Sequence, residues 1–276
     1  MPFDGLRVVA FESRRAAEMA ELIRRNGGEP FVAPSMREAP VESNDEALRF
    51  AERLFRGEFD LMVLLTGVGT RALAKVIDGR FGAGRFADAL RQITVAARGS
   101  KPVAVLREMD IRPTLVAPEP NTWREMLDII RPRPERRIAV QEYGRTNVDL
   151  LDGLRAIGAE VTTVRVYQWA LPDDTGPLRE AAHRIARDEF DVVLFTTSVQ
   201  IAHLLTIAAE EGIEGDLQSG LARTVIASVG PTTTEGLAEH GLTPDFEPTH
   251  PKMGFLVKET ADAAGTLLAK KRGARA

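Results

Sequence analysis

The sequence predicts an α/β protein of two similar domains, in each of which helices flank a parallel sheet. Short runs rich in β-branched residues alternate with amphipathic helical segments along the 276 residues, a pattern that indicates βα units. This length is sufficient for two domains of moderate size. Blocks of the first half also recur in the second: Phe59-Asp60-Leu61 is matched by Phe190-Asp191-Val192 at an offset of 131 residues (190 minus 59). One α/β repeat is therefore predicted twice.

The first repeat is predicted to contain four strands, each a short apolar run bounded by turn residues. They are Leu6 to Phe11, Phe31 to Ala33, Leu61 to Leu65 and Thr94 to Ala97. Ser13 is the expected N-cap of a helix from Ala16 to Arg25, which ends at Gly27-Gly28. Thr66 to Thr70 leads into a second helix, and Gly99-Ser100-Lys101 opens a third.

The second repeat shows the same order of elements. Its predicted strands are Ile138 to Gln141, Val161 to Val166, Val192 to Phe195 and Val225 to Ser228. Turns follow at Tyr143 to Asn147, Thr196 to Ser198 and Gly230 to Thr233. In parallel sheets ligands collect beyond the carboxyl ends of the strands, so these turns are the places to look for a site.

Two segments at equivalent places in the repeats, Pro34 to Ser43 and Ala170 to Pro177, are predicted linkers. If the chain changes domains at both, the N-terminal and C-terminal segments form one domain, the middle forms the other, and a two-stranded hinge joins them. The alternative is two consecutive halves that part near Pro132 to Pro134. Spacing alone leaves both arrangements open.

Composition argues against several classes of function. Lys and Arg number 36 against 40 Asp and Glu, so net charge gives no reason to expect binding to nucleic acid or to a membrane. The absence of cysteine removes thiolate chemistry and favours the cytoplasm. The first residues lack signal-peptide features, and no apolar run is long enough to span a bilayer. The four histidines show no metal-binding spacing, so no metal is expected, and His183 and His203 are assigned structural or exposed positions.

Six turns at the ends of predicted strands combine glycine, hydroxyl residues or Asn with nearby Arg or Lys. Such turns present unpaired helix N–H groups that favour anions. Neither GxxxxGK[ST] nor GxGxxG occurs, since Gly67 and Gly69 lack the third glycine, so a nucleotide is not expected. A large ligand with several carboxylates fits the distributed turns better, although each residue could equally cap a helix or lie on the surface. The candidate contacts are Ser13, Arg14, Thr66, Gly67, Val68, Gly99, Ser100, Lys101, Arg145, Thr196, Thr197, Ser198, Gly230, Pro231, Thr232 and Thr233.

Several of these motifs resemble those of uroporphyrinogen-III synthases. Thr66-Gly67-Val68 and Phe195-Thr196-Thr197-Ser198 are similar to strand-end turns of that family. Val164-Arg165-Val166-Tyr167 is similar to its tyrosine-bearing hinge strand, and Val229-Gly230-Pro231-Thr232-Thr233 resembles its most recognisable turn. Gly67 departs from the family pattern, in which serine is common. The resemblance covers nearly the whole chain and implies the exchanged arrangement, with residues 1–34 and 172–276 in one domain, 38–168 in the other, and a hinge near 35–37 and 169–171.

The resemblance also implies an activity, that of a carbon–oxygen hydro-lyase. Such an enzyme expels the terminal hydroxyl of hydroxymethylbilane and closes the ring to uroporphyrinogen III with inversion of ring D, in the biosynthesis of haem, sirohaem or cobalamin. No cofactor is implied, the substrate would come from hydroxymethylbilane synthase, and we expect a monomer. Tyr167 is the expected general acid for the leaving hydroxyl, and its other reading is a tyrosine that braces the hinge. The threonine and glycine turns would hold the substrate carboxylates.

Two other classes of protein stay open. A cytoplasmic two-domain binding or sensor protein of periplasmic-binding-like architecture would also pair α/β lobes across a hinge. A nucleotide-dependent transferase is disfavoured by the missing phosphate loop.

Overall fold

A computed structural model describes residues 2–40, 44–142 and 146–273 of the chain, apart from the side chains of Pro40 and Tyr167. The strands are β1 (Arg7–Ala10), β2 (Glu29–Val32), β3 (Arg37–Pro40), β4 (Leu61–Leu64), β5 (Thr94–Ala97), β6 (Leu115–Val116), β7 (Arg137–Gln141), β8 (Glu160–Val164), β9 (Tyr167–Ala170), β10 (Val192–Phe195) and β11 (Val225–Ser228). The helices are α1 (Ala16–Arg25), α2 (Asp45–Phe55), α3 (Gly67–Phe81), α4 (Arg85–Leu90), α5 (Ser100–Glu108), α6 (Trp123–Ile130), α7 (Val148–Ala156), α8 (Gly176–Ala186), α9 (Val199–Glu211), α10 (Glu214–Leu221), α11 (Pro231–Ala238) and α12 (Met253–Gly273).

The chain divides into two compact units. Unit 1 is Met1–Arg37 with Ala170–Ala276, and unit 2 is Glu38–Trp169. Strands β3 and β9 pair with each other as a separate two-stranded sheet. Arg37, the first residue of β3, ends the N-terminal part of unit 1, and Ala170, the last residue of β9, begins its C-terminal part. The chain therefore passes from one unit to the other at these two paired strands.

Unit 1 contains a parallel sheet of four strands in the order β11-β10-β1-β2. One face packs on α8, α9 and α10 through Ile185, Leu204 and Leu217. The other face packs on α1 and α12 through Met19 and Leu256. Because helices cover both faces, the central strands are apolar at consecutive positions and do not alternate.

Unit 2 repeats this construction with five parallel strands in the order β6-β5-β4-β7-β8. Helices α2, α3 and α4 cover one face through Phe50, Leu73 and Phe86. Helices α6 and α7 cover the other through Met126 and Leu150. Two helix-flanked parallel sheets are what the alternation of apolar runs and amphipathic segments predicts, so the α/β fold class is confirmed.

Equivalent ion pairs tie the amino ends of the central strands in both sheets. The backbone N–H and the Nε of Arg7 both donate to Asp191 Oδ2, at 2.9 and 3.0 Å. In unit 2, the same two groups of Arg137 donate to Asp60 Oδ2, at 3.1 and 3.2 Å. Burial alone raises the pKa of Asp191, but hydrogen bonds from Arg7 and Arg272 outweigh it and lower the pKa to about 2.

Two local sequence predictions are wrong. Ser13 does not cap α1: the N-cap is Arg15, without a side-chain bond, and Ser13 Oγ accepts the N–H of Met36 at 3.1 Å. The predicted strand from Val161 to Val166 ends at Val164. The next N–H, that of Arg165, donates to the Glu46 side chain at 2.9 Å.

Candidate functional site

The predicted ligand residues gather at the carboxyl ends of the strands in each unit, here called the carboxyl edges. Because every strand of each sheet runs in the same direction, the segments that follow the strands meet at one edge of that sheet. The carboxyl edge of unit 1 carries Ser13, Arg14, Thr196 to Ser198 and Gly230 to Thr233. That of unit 2 carries Thr66 to Val68 and Gly99 to Lys101.

Thr66 caps helix α3 in unit 2, which is the alternative to a ligand contact that the sequence left open. Its Oγ1 accepts the N–H of Gly69 at 3.0 Å, and Thr70 Oγ1 donates to its carbonyl at 2.7 Å. The N–H groups of Gly67 and Val68 lie in the first helical turn, where no carbonyl of the helix can accept them. These two amides are the donors that the turn offers to a ligand, and the helix dipole adds partial positive charge there.

Gln141 holds this turn from the neighbouring strand. It is fully buried, its Oε1 accepts the N–H of Thr66 at 3.2 Å, and its Nε2 donates to the carbonyl of Glu142. Gly69 makes the room, because a Cβ there would lie 2.0 Å from Gln141 Nε2. From the sequence, Gly69 was noted for lacking the third glycine of a nucleotide motif, and Gln141 was not recognised as a residue that holds the turn. The Gly–Gln complementarity becomes visible only when β7 is placed beside β4.

Gly67 is also explained by packing. A Cβ at this position would lie 2.8 Å from the carbonyl oxygen of Lys101, so the starts of α3 and α5 approach at backbone distance. A serine side chain would therefore not fit here unless the backbone shifted. The approach brings the Thr66 and Gly99 turns together, and Arg98 Nε donates to the carbonyl of Leu65 at 3.1 Å between them.

The Gly99 turn begins α5 in a conformation that requires glycine. Gly99 has φ of 81°, and a Cβ there would lie 2.6 Å from Asn121 Oδ1. Lys101 is exposed beside it. Asn121 is therefore a further polar side chain at this edge, which sequence reasoning missed because it follows the two-residue strand β6, too short to be recognised.

In unit 1, the turn after β10 is bonded within the protein. The N–H groups of Thr196 and Thr197 donate to Gln200 Oε1 at 2.8 and 3.4 Å, where the sequence predicted a ligand. Gln200 Nε2 donates to Thr196 Oγ1 at 2.9 Å, and Thr196 Oγ1 donates to Glu12 Oε2 at 2.8 Å. Glu12 also accepts the N–H of Arg15 at 3.2 Å. Gln200 and Glu12, both missed from the sequence, thus define this turn.

The Gly230 turn packs against the start of α9. A Cβ at Gly236 would lie 2.1 Å from Ser198 Cβ, so α11 touches the residue that precedes α9. The N–H groups of Thr233 and Thr234 donate to the Gly230 carbonyl at 2.9 and 3.0 Å. Thr232 lies half-buried in the first turn of α11, where its N–H has no acceptor within the helix. Thr232 is the backbone donor that this turn presents.

His203 also lies at the carboxyl edge of unit 1. Its Nδ1 bonds the carbonyl of Ser35 at 2.7 Å, which fixes the tautomer with the proton on Nδ1. Burial lowers the pKa of His203, against the opposing effect of this hydrogen bond. The side chain is therefore neutral near pH 7, and the structural assignment made from the sequence did not place it at this edge.

Glu142 is a buried carboxylate directly after β7. It is 3% exposed, and its Oε2 accepts a hydrogen bond from Arg165 Nη2 at 3.0 Å. No group among the described residues donates to its Oε1. Glu12 follows β1, which pairs with β10, and Glu142 follows β7, which pairs with β4. Each unit therefore has a glutamate after the equivalent strand.

Two predicted residues lie outside what the structure describes. Arg145 falls between the described ranges, and only the backbone of Tyr167 is described, in β9. Within residues 2–40, 44–142 and 146–273, no group of three or more His, Asp or Glu is arranged to hold a metal ion. In the same ranges, none of the helices has both the length and the apolar character that a bilayer crossing requires.

The chain is similar to proteins of one family. The family model described as uroporphyrinogen-III synthase HemD matches residues 17–258. A Methanothermobacter thermautotrophicus protein described provisionally as a uroporphyrinogen-III synthase is 31% identical over 83% of this chain and 87% of its own length. The Bacillus subtilis protein YjjA, described as uncharacterized, is 27% identical over 93% of this chain and 95% of its own length.

Solved structures share the fold at lower identity. A mutant uroporphyrinogen III synthase of Thermus thermophilus gives a TM-score of 0.70 at 22% identity, with 95% of this chain and 100% of the other covered. The uroporphyrinogen-III synthetase of Helicobacter pylori gives a TM-score of 0.51 at 16% identity, with 92% and 98% covered.

Proposed function

The chain belongs to the uroporphyrinogen-III synthase family, a family of cyclising lyases, and from this premise we propose that it converts hydroxymethylbilane to uroporphyrinogen III. The reaction is a dehydrative cyclisation with inversion of ring D. It requires a protein that grips a flexible polycarboxylate at several points and admits one regiochemistry of closure.

One observation carries the proposal: each carboxyl edge presents first-turn N–H groups at the start of helices that follow parallel strands. Gly67 and Val68 offer them in unit 2, and Thr232 offers one in unit 1. Such amides bind carboxylates with the help of the helix dipole and carry no counter-charge of their own. Neither carboxyl edge carries a sequence motif for a nucleotide, so a distributed polyacid is the ligand that suits them.

The chemistry asks little of side chains. Protonation and departure of the terminal hydroxyl as water leaves an azafulvenium on the first ring. The already substituted α-carbon of ring D bonds to its methylene carbon and gives a spiro intermediate. The older bond from that α-carbon to the bridging methylene then breaks, and the released methylene carbon bonds to the free α-carbon of ring D, which closes the macrocycle with ring D inverted. The proposed general acid for the departing hydroxyl is Tyr167, directly or through water. Ring D loses a proton when it regains aromaticity, and that proton returns Tyr167 to its protonated form. The strand-end turns named from the sequence are proposed to hold the substrate carboxylates. Thr196 and Thr197 would contribute through Gln200, because its side chain accepts both of their N–H groups.

The biological setting is part of the same proposal. The enzyme would act in the cytoplasm as a monomer without cofactor, receive its substrate from hydroxymethylbilane synthase, and supply a pathway to haem, sirohaem or cobalamin. Size-exclusion chromatography with light scattering tests the monomer.

The deciding experiment couples the purified chain to hydroxymethylbilane synthase, oxidises the products and separates the uroporphyrin isomers. Hydroxymethylbilane closes to isomer I without a synthase, so a reaction without the chain is the control. Formation of isomer III in proportion to added protein is the expected result. Isomer I alone, from folded protein, would contradict the proposed activity.

A further inference from the structure

Unit 2 has a cavity at the edge where its strands begin, opposite the carboxyl edge. It encloses about 880 Å³ and lies between the end of α2, helix α4 and the starts of β4, β5 and β7. We call it the amino-edge pocket. No predicted substrate residue lines it, so the proposed synthase site does not account for it.

The pocket lies where two helices of unit 2 approach less closely than their counterparts in unit 1. In unit 1, α8 and α10 meet at Gly220, where a Cβ would lie 2.0 Å from the carbonyl oxygen of Ile185. The corresponding residues of unit 2, 131 positions earlier, are Ala89 and Leu54 (220 minus 131 and 185 minus 131). The methyl group of Ala89 excludes the same approach, and both Ala89 and Leu54 line the cavity.

The lining combines apolar side chains with charged ones, among which arginines outnumber aspartates. Leu54, Phe55 and Ile93 contribute apolar surface, and the charged lining residues are four arginines and two aspartates: Arg56, Arg85, Arg91, Arg137, Asp60 and Asp88. Asp88 pairs with Arg91 at 2.8 Å, and Asp60 pairs with Arg137. The guanidinium of Arg85 lies 4.8 Å from the centre of the Phe55 ring, and none of the carboxylates in the described ranges pairs with it.

The charge is specific to this copy of the repeat. The positions of Arg85 and Arg91 are occupied in unit 1 by Asp216 and Ala222 (216 and 222, each minus 131). Arg91 is paired with Asp88, whose position in unit 1 is Ser219 (219 minus 131). Arg85 is therefore the cation that distinguishes the open copy, where the closed copy has Asp216. An overall negative chain with 36 basic and 40 acidic residues thus has a locally cationic cavity with an aromatic wall.

We propose that the amino-edge pocket binds a small organic anion with a flat apolar body, its anionic group on Arg85 and its rings against Phe55. A guanidinium stacked on an aromatic ring presents its edge N–H groups to a carboxylate or sulfonate. Phe55 and Ile93 supply the remaining contact, since flat rings gain from burial against Phe and Ile side chains. This site is separate from the carboxyl edges and does not depend on the synthase activity.

The test uses anilinonaphthalene sulfonate as the anion and N-phenyl-1-naphthylamine as its neutral analogue with the same rings, followed by fluorescence titration of the full chain. Arg85→Glu reverses the charge at the first position of α4, where an acidic residue suits the helix N-terminus. Ala89→Trp fills the cavity. Arg155→Glu makes the same charge change at an exposed residue of α7 and is the control. Circular dichroism and the unfolding midpoint verify that each variant folds.

We expect the anion to bind at one saturable site. Its affinity should be at least about tenfold lower in Arg85→Glu and in Ala89→Trp, and unchanged in Arg155→Glu. The neutral analogue should bind the unaltered chain at least about tenfold more weakly than the anion. Unaltered binding to folded Arg85→Glu, equal affinity for the neutral analogue, or no saturable binding would each overturn the proposal. If Ala89→Trp does not fold, Arg85→Glu decides alone.

Discussion

Replacing Gly69 by alanine tests the Gln141 contact most directly, because helix α3 contains its own control. Gly69 and Gly79 both lie in α3. A Cβ at Gly79 would meet nothing within 4 Å, whereas a Cβ at Gly69 would lie 2.0 to 2.7 Å from the amide of Gln141. The same chemical change in one helix should therefore have opposite effects on the free energy of unfolding.

The magnitudes follow from the contacts. Gly79→Ala removes the conformational cost of a helical glycine and should stabilise the protein by about 1 kcal/mol. Gly69→Ala gains the same helix term but expels Gln141, which loses its bonds to Thr66 and Glu142 in a fully buried place. Each buried polar group left without a partner costs about 1–3 kcal/mol. A net destabilisation of about 3 kcal/mol is expected, a difference of about 4 kcal/mol between the two variants.

Urea unfolding followed by circular dichroism measures both variants at one temperature. A double variant with Gln141→Ala refines the test, since removing the amide frees the space and should reduce the cost of Gly69→Ala. If Gly69→Ala were neutral or stabilising, as at Gly79, Gln141 would not be held in the space that glycine leaves, and its positioning of the Thr66 turn would be wrong.

The remaining predictions concern catalysis, capping and pH. Tyr167→Phe should lower kcat with the unfolding midpoint unchanged, and unchanged turnover would remove its acid role. Thr66→Ala loses one helix cap and should cost about 1 kcal/mol with only a modest fall in activity; complete loss in a folded protein would contradict the dominance of backbone donors. The Asp191 carboxylate has a lower pKa in the fold than its unfolded value near about 4, so its stabilisation is complete above about pH 4 and is lost as pH falls towards about 2. Asp191→Asn should therefore cost about 2 kcal/mol at neutral pH and flatten that acid dependence in urea titrations, whereas Asp60→Asn, whose carboxylate is more exposed, should cost less; equal effects would argue against the Arg7 and Arg272 hydrogen bonds as the cause of the larger Asp191 effect.

Local patterns predicted the parts of the fold that depend on neighbours in sequence. Val192 to Phe195 and Val225 to Ser228 match β10 and β11 residue for residue, because strands covered on both faces are apolar at consecutive positions. Thr66 was named as a candidate contact with capping as its alternative, and it does cap α3, through the N–H of Gly69 three residues on. Ser13 satisfied the same pattern, but its hydroxyl bonds Met36, on the segment that follows the neighbouring strand.

Periodicity and short motifs are enough to predict the α/β class, the strand-end turns and the family to which they point. Which donors those turns leave open depends on contacts that form when the chain folds. Gln200 accepts two N–H groups of the turn after β10. Gln141 reaches the Thr66 turn through the space at Gly69. Ala89 stands where the other repeat has Gly220, beside the cavity of unit 2. Each of these depends on contact between residues far apart in the chain, for which one sequence contains no local signal.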